Sequence, residues 1–224
     1  MKKQKTILSH LDIVLTLPQA RFFSQLSWTK KSGMYLAGGT ALALQIGHRT
    51  SVDFDFYAQQ HFRKGTLPRQ FQKHIVDHWQ AKVTRDEEDT FDLIAKPDIH
   101  VSCFYYEYPL IAHYVYIHGV AVASLKDIAA MKLIAIAQRG RHRDFVDMYY
   151  LLGIFSLQDM IRFALEKYPL YDYFFFLRGL LYFKDAEEDD DIDRVKLFDT
   201  SVTWKKVKKT ITEIVRNYQL KQAV

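Results

Sequence analysis

Gly38-Gly39-Thr40-Ala41-Leu42-Ala43-Leu44-Gln45-Ile46-Gly47-His48-Arg49-Thr50-Ser51-Val52-Asp53-Phe54-Asp55-Phe56-Tyr57 joins a glycine pair to two aspartates one residue apart, and the two halves demand different secondary structure. The preceding Met34-Tyr35-Leu36-Ala37 is a short apolar run suited to a buried strand, while Thr40 to Ile46 has the composition of a helix. Gly38 and Gly39 then occupy a strand-to-helix turn. A glycine pair lets the backbone pass close to a phosphate, and the helix behind it turns N–H groups and a positive dipole end toward that anion. Thr40 can cap the helix or donate its hydroxyl to a phosphate oxygen.

Ser51 to Tyr57 alternates polar and apolar residues at the period of a half-buried strand. Asp53 and Asp55 therefore share one face, and Phe54 and Phe56 point the other way, into a core. Two carboxylates opposite a phosphate-binding turn suit Mg²⁺ or Mn²⁺, hard ions that take oxygen ligands and share them with substrate phosphates. The pair points to phosphoryl or nucleotidyl transfer with metal help.

These residues resemble the nucleotidyltransferase superfamily typified by DNA polymerase beta, and within it the AbiEii/AbiGii toxin-type nucleotidyltransferases. That family carries a Gly-Gly-[Ser/Thr] turn and an Arg-x-Ser-x-Asp-x-Asp-Phe strand, matched by Arg49, Ser51, Asp53, Asp55 and Phe56. A second block, Ala123 to Tyr149, is similar to the family's Lys-x-x-Ala and Arg-Gly-x-x-[Arg/Lys]-Asp-x-x-Asp signature through Lys132, Arg139, Gly140, Arg143, Asp144 and Asp147. Two separated blocks in the right order are specific, whereas a lone Gly-Gly or Asp-x-Asp is weak. The likeness spans Met34 to Leu152.

The resemblance implies an α+β fold: a polymerase-beta-like domain with a small mixed sheet flanked by helices, followed by a C-terminal helical bundle. It implies a metal-dependent enzyme that moves NMP from an NTP to an acceptor, with RNA and tRNA in particular as the expected acceptor. The implied role is a toxin of a toxin–antitoxin or phage-defence system, with a cognate antitoxin protein as partner. Asp53 and Asp55 would hold the metal, and Lys132 would neutralise the leaving pyrophosphate. Gly38, Gly39, Thr40, Arg49, Ser51, Lys132, Arg139, Arg143 and Asp147 would bind the nucleotide. A small-molecule acceptor is the neighbouring alternative. For the second block the structural alternative is an Arg139–Asp144 or Arg143–Asp147 ion pair that locks two helices together.

One position departs from the family. Polymerase-beta-like enzymes place a third carboxylate on a neighbouring strand, where Ile99 to Tyr106 here carries Ser102. A serine is no carboxylate base. Asp98 and His100 share its strand face, about 13 and 7 Å away along the chain, and Asp92 lies on the adjoining strand. The alternative function is a catalytically weak or silent nucleotide- or RNA-binding module of the same fold.

Composition agrees with an enzyme-sized protein: 224 residues, 49% of them hydrophobic, suffice for a substantial core. Apolar stretches are interrupted by charge well short of the roughly 20 residues of a membrane span. Met1 to Lys5 is basic, but Ser9, His10 and Asp12 follow, which argues against a secretory leader. The single cysteine, Cys103, fits a reducing compartment and a small core filler, so a cytoplasmic protein is expected. Asp185 to Asp193 holds seven acidic residues, leaving 31 basic against 19 acidic elsewhere. That surplus favours a polyanionic partner, and the acidic run is expected to be a disordered or exposed loop between helices.

A leading helix or helix pair is expected over Thr6 to Trp28, with Pro18 marking a break or a first helical position, then a helix over Leu67 to Trp79. Strands are expected near 82–85, 90–95 and 98–106, with another near Tyr114 to Ile117. Helices follow at Leu125 to Gln138, His142 to Leu152, Leu157 to Tyr168, Asp172 to Phe183 and Val202 to Gln219. The domain boundary thus falls near residue 122, giving a nucleotidyltransferase core over 1–122 and a helical domain over 123–224 that contributes to the active cleft. Ser124 and Asp127 read as a helix-capping pair. The aromatic run Tyr171 to Phe183 reads as a helix buried all round. His74, His78, His113 and His118 lack zinc or metalloprotease spacing.

Overall fold

The computed structural model of the chain describes residues 10–76, 79–189 and 195–222. It divides into two compact units, Met1–Pro109 with His113–Ser124, and Leu110–Ala112 with Leu125–Val224.

The first unit is built on a β-sheet. Among the described residues, β1 (Met34–Ala37), β2 (Asp53–Ala58), β3 (Lys82–Glu87), β4 (Thr90–Ala95), β5 (Ile99–Tyr105), β6 (Val115–Ile117) and β7 (Val120–Val122) form one mixed sheet ordered β3-β4-β5-β2-β1-β7-β6. β2 runs antiparallel to β1 and parallel to β5. In β2, Phe54, Phe56 and Ala58 are buried while Asp53, Asp55 and Tyr57 are half-buried. β4 and β5 repeat the pattern with Phe91, Leu93, Val101 and Cys103 inward.

Helices α1 (Leu11–Val14) and α2 (Leu17–Ser24) precede β1, with Pro18 in the first turn of α2, where its missing N–H costs nothing. Phe22 and Phe23 of α2 stack on Phe54, at 6.0 and 5.7 Å between ring centroids, and cover the inward face of β2. Phe71, at the end of α4 (Thr66–Phe71), stacks on Phe91 at 5.0 Å. Each such ring, wholly removed from water, contributes about 1.5–3 kcal/mol. The helix expected over Leu67 to Trp79 is α4 followed by a π turn at Gln72–Val76; Asp77 and His78 lie outside the described residues, as do Thr6 to Ser9 of the expected leading helix.

β7 was not anticipated. It is three residues long, buried throughout, and follows β6 across a turn in which His118 and Gly119 both have positive φ. It pairs in parallel with β1 through Leu36 and Val122. A strand covered on both faces has no alternation to betray it.

The second unit is helical: α5 (Leu125–Arg139), α6 (His142–Leu152), α7 (Leu157–Lys167), α8 (Tyr173–Leu180), α9 (Lys184–Glu187) and α10 (Trp204–Gln222). α5 buries residues on every side from Asp127 to Ile134. Gly179 of α8 lies against α5 so closely that a Cβ would stand 2.5 Å from the Ala137 Cα. Two expectations are corrected. The aromatic run is one-sided, because Phe176, Leu177 and Leu180 are buried while Phe174 is 63% exposed. The start of the acidic run is ordered: Lys184–Glu187 is a helical turn, Glu187 pairs with Lys208, and the Asp189 carboxylate accepts the His142 N–H at 3.0 Å. Asp190 to Asp193 lie outside the described residues. No helix among the described residues is long and apolar enough to cross a membrane.

Candidate active site

The turn after β1 delivers the two motif halves to one place. Helix α3 (Gly38–Ile46) starts at the glycine pair, directly after Ala37, and Ala37 is the register partner of Asp55. Gly38 has φ of +69°, a region costly for any residue with a Cβ. A Cβ there would also lie 3.0 Å from Asp55 Oδ2. Glycine is thus required twice, by the turn and by the carboxylate packed against it. Asp53 and Asp55 stand on one strand face about 7 Å apart along β2.

Thr40, Ser51 and Arg49 meet at the entry to β2. The helix N-cap is Ala37, so Thr40 does not cap it. Its buried hydroxyl donates to the Asp53 carbonyl and lies 2.7 Å from Ser51 Oγ. Arg49 is only 1% exposed, and its Nη1 donates to the Thr50 carbonyl at 2.9 Å. These three side chains brace the start of β2 against α3 and thereby fix where Asp53 emerges.

The third corner is set by register. Ser102 of β5 is the partner of Asp55, and His100 is the partner of Asp53. Asp92 of β4 is opposite Ser102 on its far side, hence two strand spacings, about 10 Å, from Asp55. Asp98 is 77% exposed, and its Oδ1 accepts from His100 Nε2 at 2.9 Å. Among the described residues no three His, Cys, Asp or Glu side chains are grouped to hold a metal. Two carboxylates on one face still match Mg²⁺, which completes its shell with water and substrate phosphate oxygens. Cys103, between these strands, is buried, and burial together with the negative charge of Asp92 and Asp55 pushes its thiol far above the ordinary range. It is inert.

In the helical unit the structure gathers Lys132, Asp144 and Asp147. Lys132 Nζ lies 2.6 Å from Asp144 Oδ1 and 2.6 Å from Asp147 Oδ2, and all three are buried. Lys132 thus joins both carboxylates. Arg139 is exposed at the end of α5, and Arg143 is half-buried in the first turn of α6. Gly140 allows the tight passage between the helices: a Cβ there would meet the Phe145 ring at 2.7 Å.

A second cluster escaped the sequence reading. Lys167 Nζ is 3.0 Å from Asp127 Oδ1, both side chains are fully buried, and Asp127 also accepts the N–H groups of Ile111 (2.9 Å) and Ala112 (3.2 Å). Asp127, read as part of a capping pair, therefore ties α5 to α7 and to residues 110–112. Burial pulls the Lys167 pKa down, against the pull of Asp127. Nothing in the local spacing links positions 40 residues apart.

Comparison with known proteins agrees with this architecture. The family model for the nucleotidyl transferase AbiEii toxin of type IV toxin–antitoxin systems matches residues 26–217. An uncharacterised protein of Aquifex aeolicus, aq_aa25, is 33% identical over 192 residues, covering 82% of this chain and 87% of its own. In fold, a candidate nucleotidyltransferase from H. pylori superposes with a TM-score of 0.60 at 17% identity, covering 94% of this chain and 99% of that one. MenT4, a nucleotidyltransferase toxin of Mycobacterium tuberculosis, gives a TM-score of 0.60 at 15% identity, covering 89% of this chain and 83% of its own. A family match over most of the chain, on a polymerase-beta-like fold with Asp53 and Asp55 beside the glycine turn, identifies the protein as a member of the AbiEii nucleotidyltransferase toxin family.

Proposed function

We propose that this toxin-family chain transfers a nucleoside monophosphate from an NTP to a hydroxyl or phosphate on RNA, tRNA being the first acceptor to test. The observation that carries this reading is the packing of Gly38 against Asp55, which couples a phosphate-binding turn to a carboxylate pair. The N–H groups at the start of α3 would hold the triphosphate, and Asp53 and Asp55 would hold the metal. Bound Mg²⁺ or Mn²⁺ would polarise the α-phosphoryl group and offset charge on the leaving pyrophosphate. The acceptor oxygen attacks the α-phosphorus as its bond to the bridging oxygen of the β-phosphate breaks. For Lys132, Arg139, Arg143 and Asp147 a part in nucleotide binding is what the family signature suggests. The surplus of 31 basic over 19 acidic residues outside the acidic run supports a polyanionic acceptor over a small molecule. A cognate antitoxin is the partner that family membership suggests.

A second reading has its own observation. Ser102 occupies the register position beside Asp55, and serine cannot take the acceptor's proton as a carboxylate does. On that reading the chain binds nucleotide or RNA and turns over slowly or not at all. Incubation with Mg²⁺, each labelled NTP in turn and total tRNA separates the two. Label on RNA that disappears in Asp53→Ala/Asp55→Ala supports the transferase; nucleotide binding without transfer supports the silent module.

A further inference from the structure

The sheet face that carries Asp53 and Asp55 continues into aromatic rings. Tyr57 follows Asp55 by two residues on the same face, about 7 Å along the strand. Its register partners are Tyr35 on β1 and Phe104 on β5. The ring centroids of Tyr57 lie 5.9 Å from Tyr35, stacked at 26°, and 6.0 Å from Phe104 at 49°. Tyr106 closes on Tyr57 edge-on, at 5.0 Å and 72°. Tyr57, Phe104 and Tyr106 are half-buried, whereas Phe54, Phe56 and Phe91 on the opposite face are wholly buried.

On this face Tyr35 is wholly buried and also packs on Tyr114, so it belongs to the packing, whereas Tyr57, Phe104 and Tyr106 keep part of their surface toward water. A sheet face left to water is ordinarily polar. Half-buried tyrosines and a phenylalanine beside two carboxylates instead offer what a nucleobase uses, a π surface with polar edges. The spacing from Asp55 to Tyr57 is on the scale of the distance from a nucleotide's phosphate to its base. Every base has a π face, so such a wall positions nucleotides with little base selectivity.

We propose that the wall of Tyr57, Phe104 and Tyr106, backed by Tyr35, is a nucleobase-stacking site that seats one base beside the Asp53/Asp55 pair. This rests on the nucleotidyltransferase reading above and adds the determinant that places the base. The base belongs either to the NTP or to the acceptor's terminal nucleotide, and the experiment distinguishes them. Equilibrium binding is measured for Phe104→Ala and Tyr106→Ala with four probes: an NTP, ribose 5-triphosphate, a short single-stranded oligoribonucleotide, and the same oligonucleotide lacking its terminal base. The variants are expected to bind one base-bearing probe about 5- to 150-fold more weakly and the matching base-free probe as the wild type does. Loss with the NTP assigns the wall to the incoming nucleotide; loss with the oligonucleotide assigns it to the acceptor. Phe104→Tyr and Tyr106→Phe, which keep the rings, should retain binding. Unchanged binding of both base-bearing probes, equal losses with and without the base, or no wild-type binding of either overturns the proposal. The assay needs no turnover, so its failure leaves label transfer intact, and absent label transfer leaves base stacking testable.

Discussion

The two units treat acidic side chains in opposite ways. On the sheet, Asp53 and Asp55 stand half-buried on one strand face, placed by a glycine turn and a polar brace. In the helical unit, Asp127, Asp144 and Asp147 are buried with a lysine nitrogen within 3.0 Å of each. A carboxylate closed on a lysine in the interior specifies packing, and losing one partner strands the other. Carboxylates half-buried on a strand face beside a helix start are the ones proposed above to hold a metal. The family signature suggests a part in the chemistry for Lys132, while its geometry is of the closed kind, so it tests where the division falls.

Substitutions at each place sharpen the contrast. The largest effect is expected at the sheet: Asp53→Asn or Asp55→Asn should lower label transfer by about a thousand-fold or more, the several kcal/mol a metal supplies to the transition state. Thermal unfolding of the same variants should stay close to wild type, since neither side chain belongs to the core. Lys167→Met should do the reverse in kind, leaving Asp127 uncompensated and costing about 3–5 kcal/mol in denaturant unfolding. Lys167→Met/Asp127→Asn should recover much of that loss, because the amide removes the stranded charge and keeps an acceptor for the Ile111 and Ala112 N–H groups. Equal stability of single and double variants would show that Asp127 is held by its backbone donors rather than by the lysine. Gly38→Ala should cost about 1–2 kcal/mol for the left-handed backbone and depress transfer further by displacing Asp55. Thr40→Val, the mildest, removes the hydroxyl of the brace and should cost about 1 kcal/mol per lost hydrogen bond. If it instead abolishes transfer with unchanged unfolding, Thr40 touches substrate.

Elements with a strong period were readable from the chain. β2 was legible because its two faces meet different surroundings, and α6 because its buried residues recur at helical spacing. β7 was not, being apolar on both sides, and the aromatic run around α8 misled because composition does not say which ring faces water. Within the site, the glycine–aspartate coupling was legible since both parts lie in one short segment. The Lys167–Asp127 pair joins separate helices, and the turning of Thr40, Ser51 and Arg49 toward backbone and one another depends on tertiary approach. The departure at Ser102 was visible in the sequence; its standing directly beside Asp55, with Asp92 one strand further away, required the register.

The most direct test is a titration of Mn²⁺, followed by electron paramagnetic resonance, into the wild type and Asp53→Asn/Asp55→Asn in the presence of a non-hydrolysable NTP. A metal-binding pair beside the glycine turn predicts protein-bound Mn²⁺ in the wild type and its loss in the variant, with nucleotide affinity falling alongside. Equal Mn²⁺ binding by both proteins would contradict it and place the metal, and with it the reaction, elsewhere in the chain.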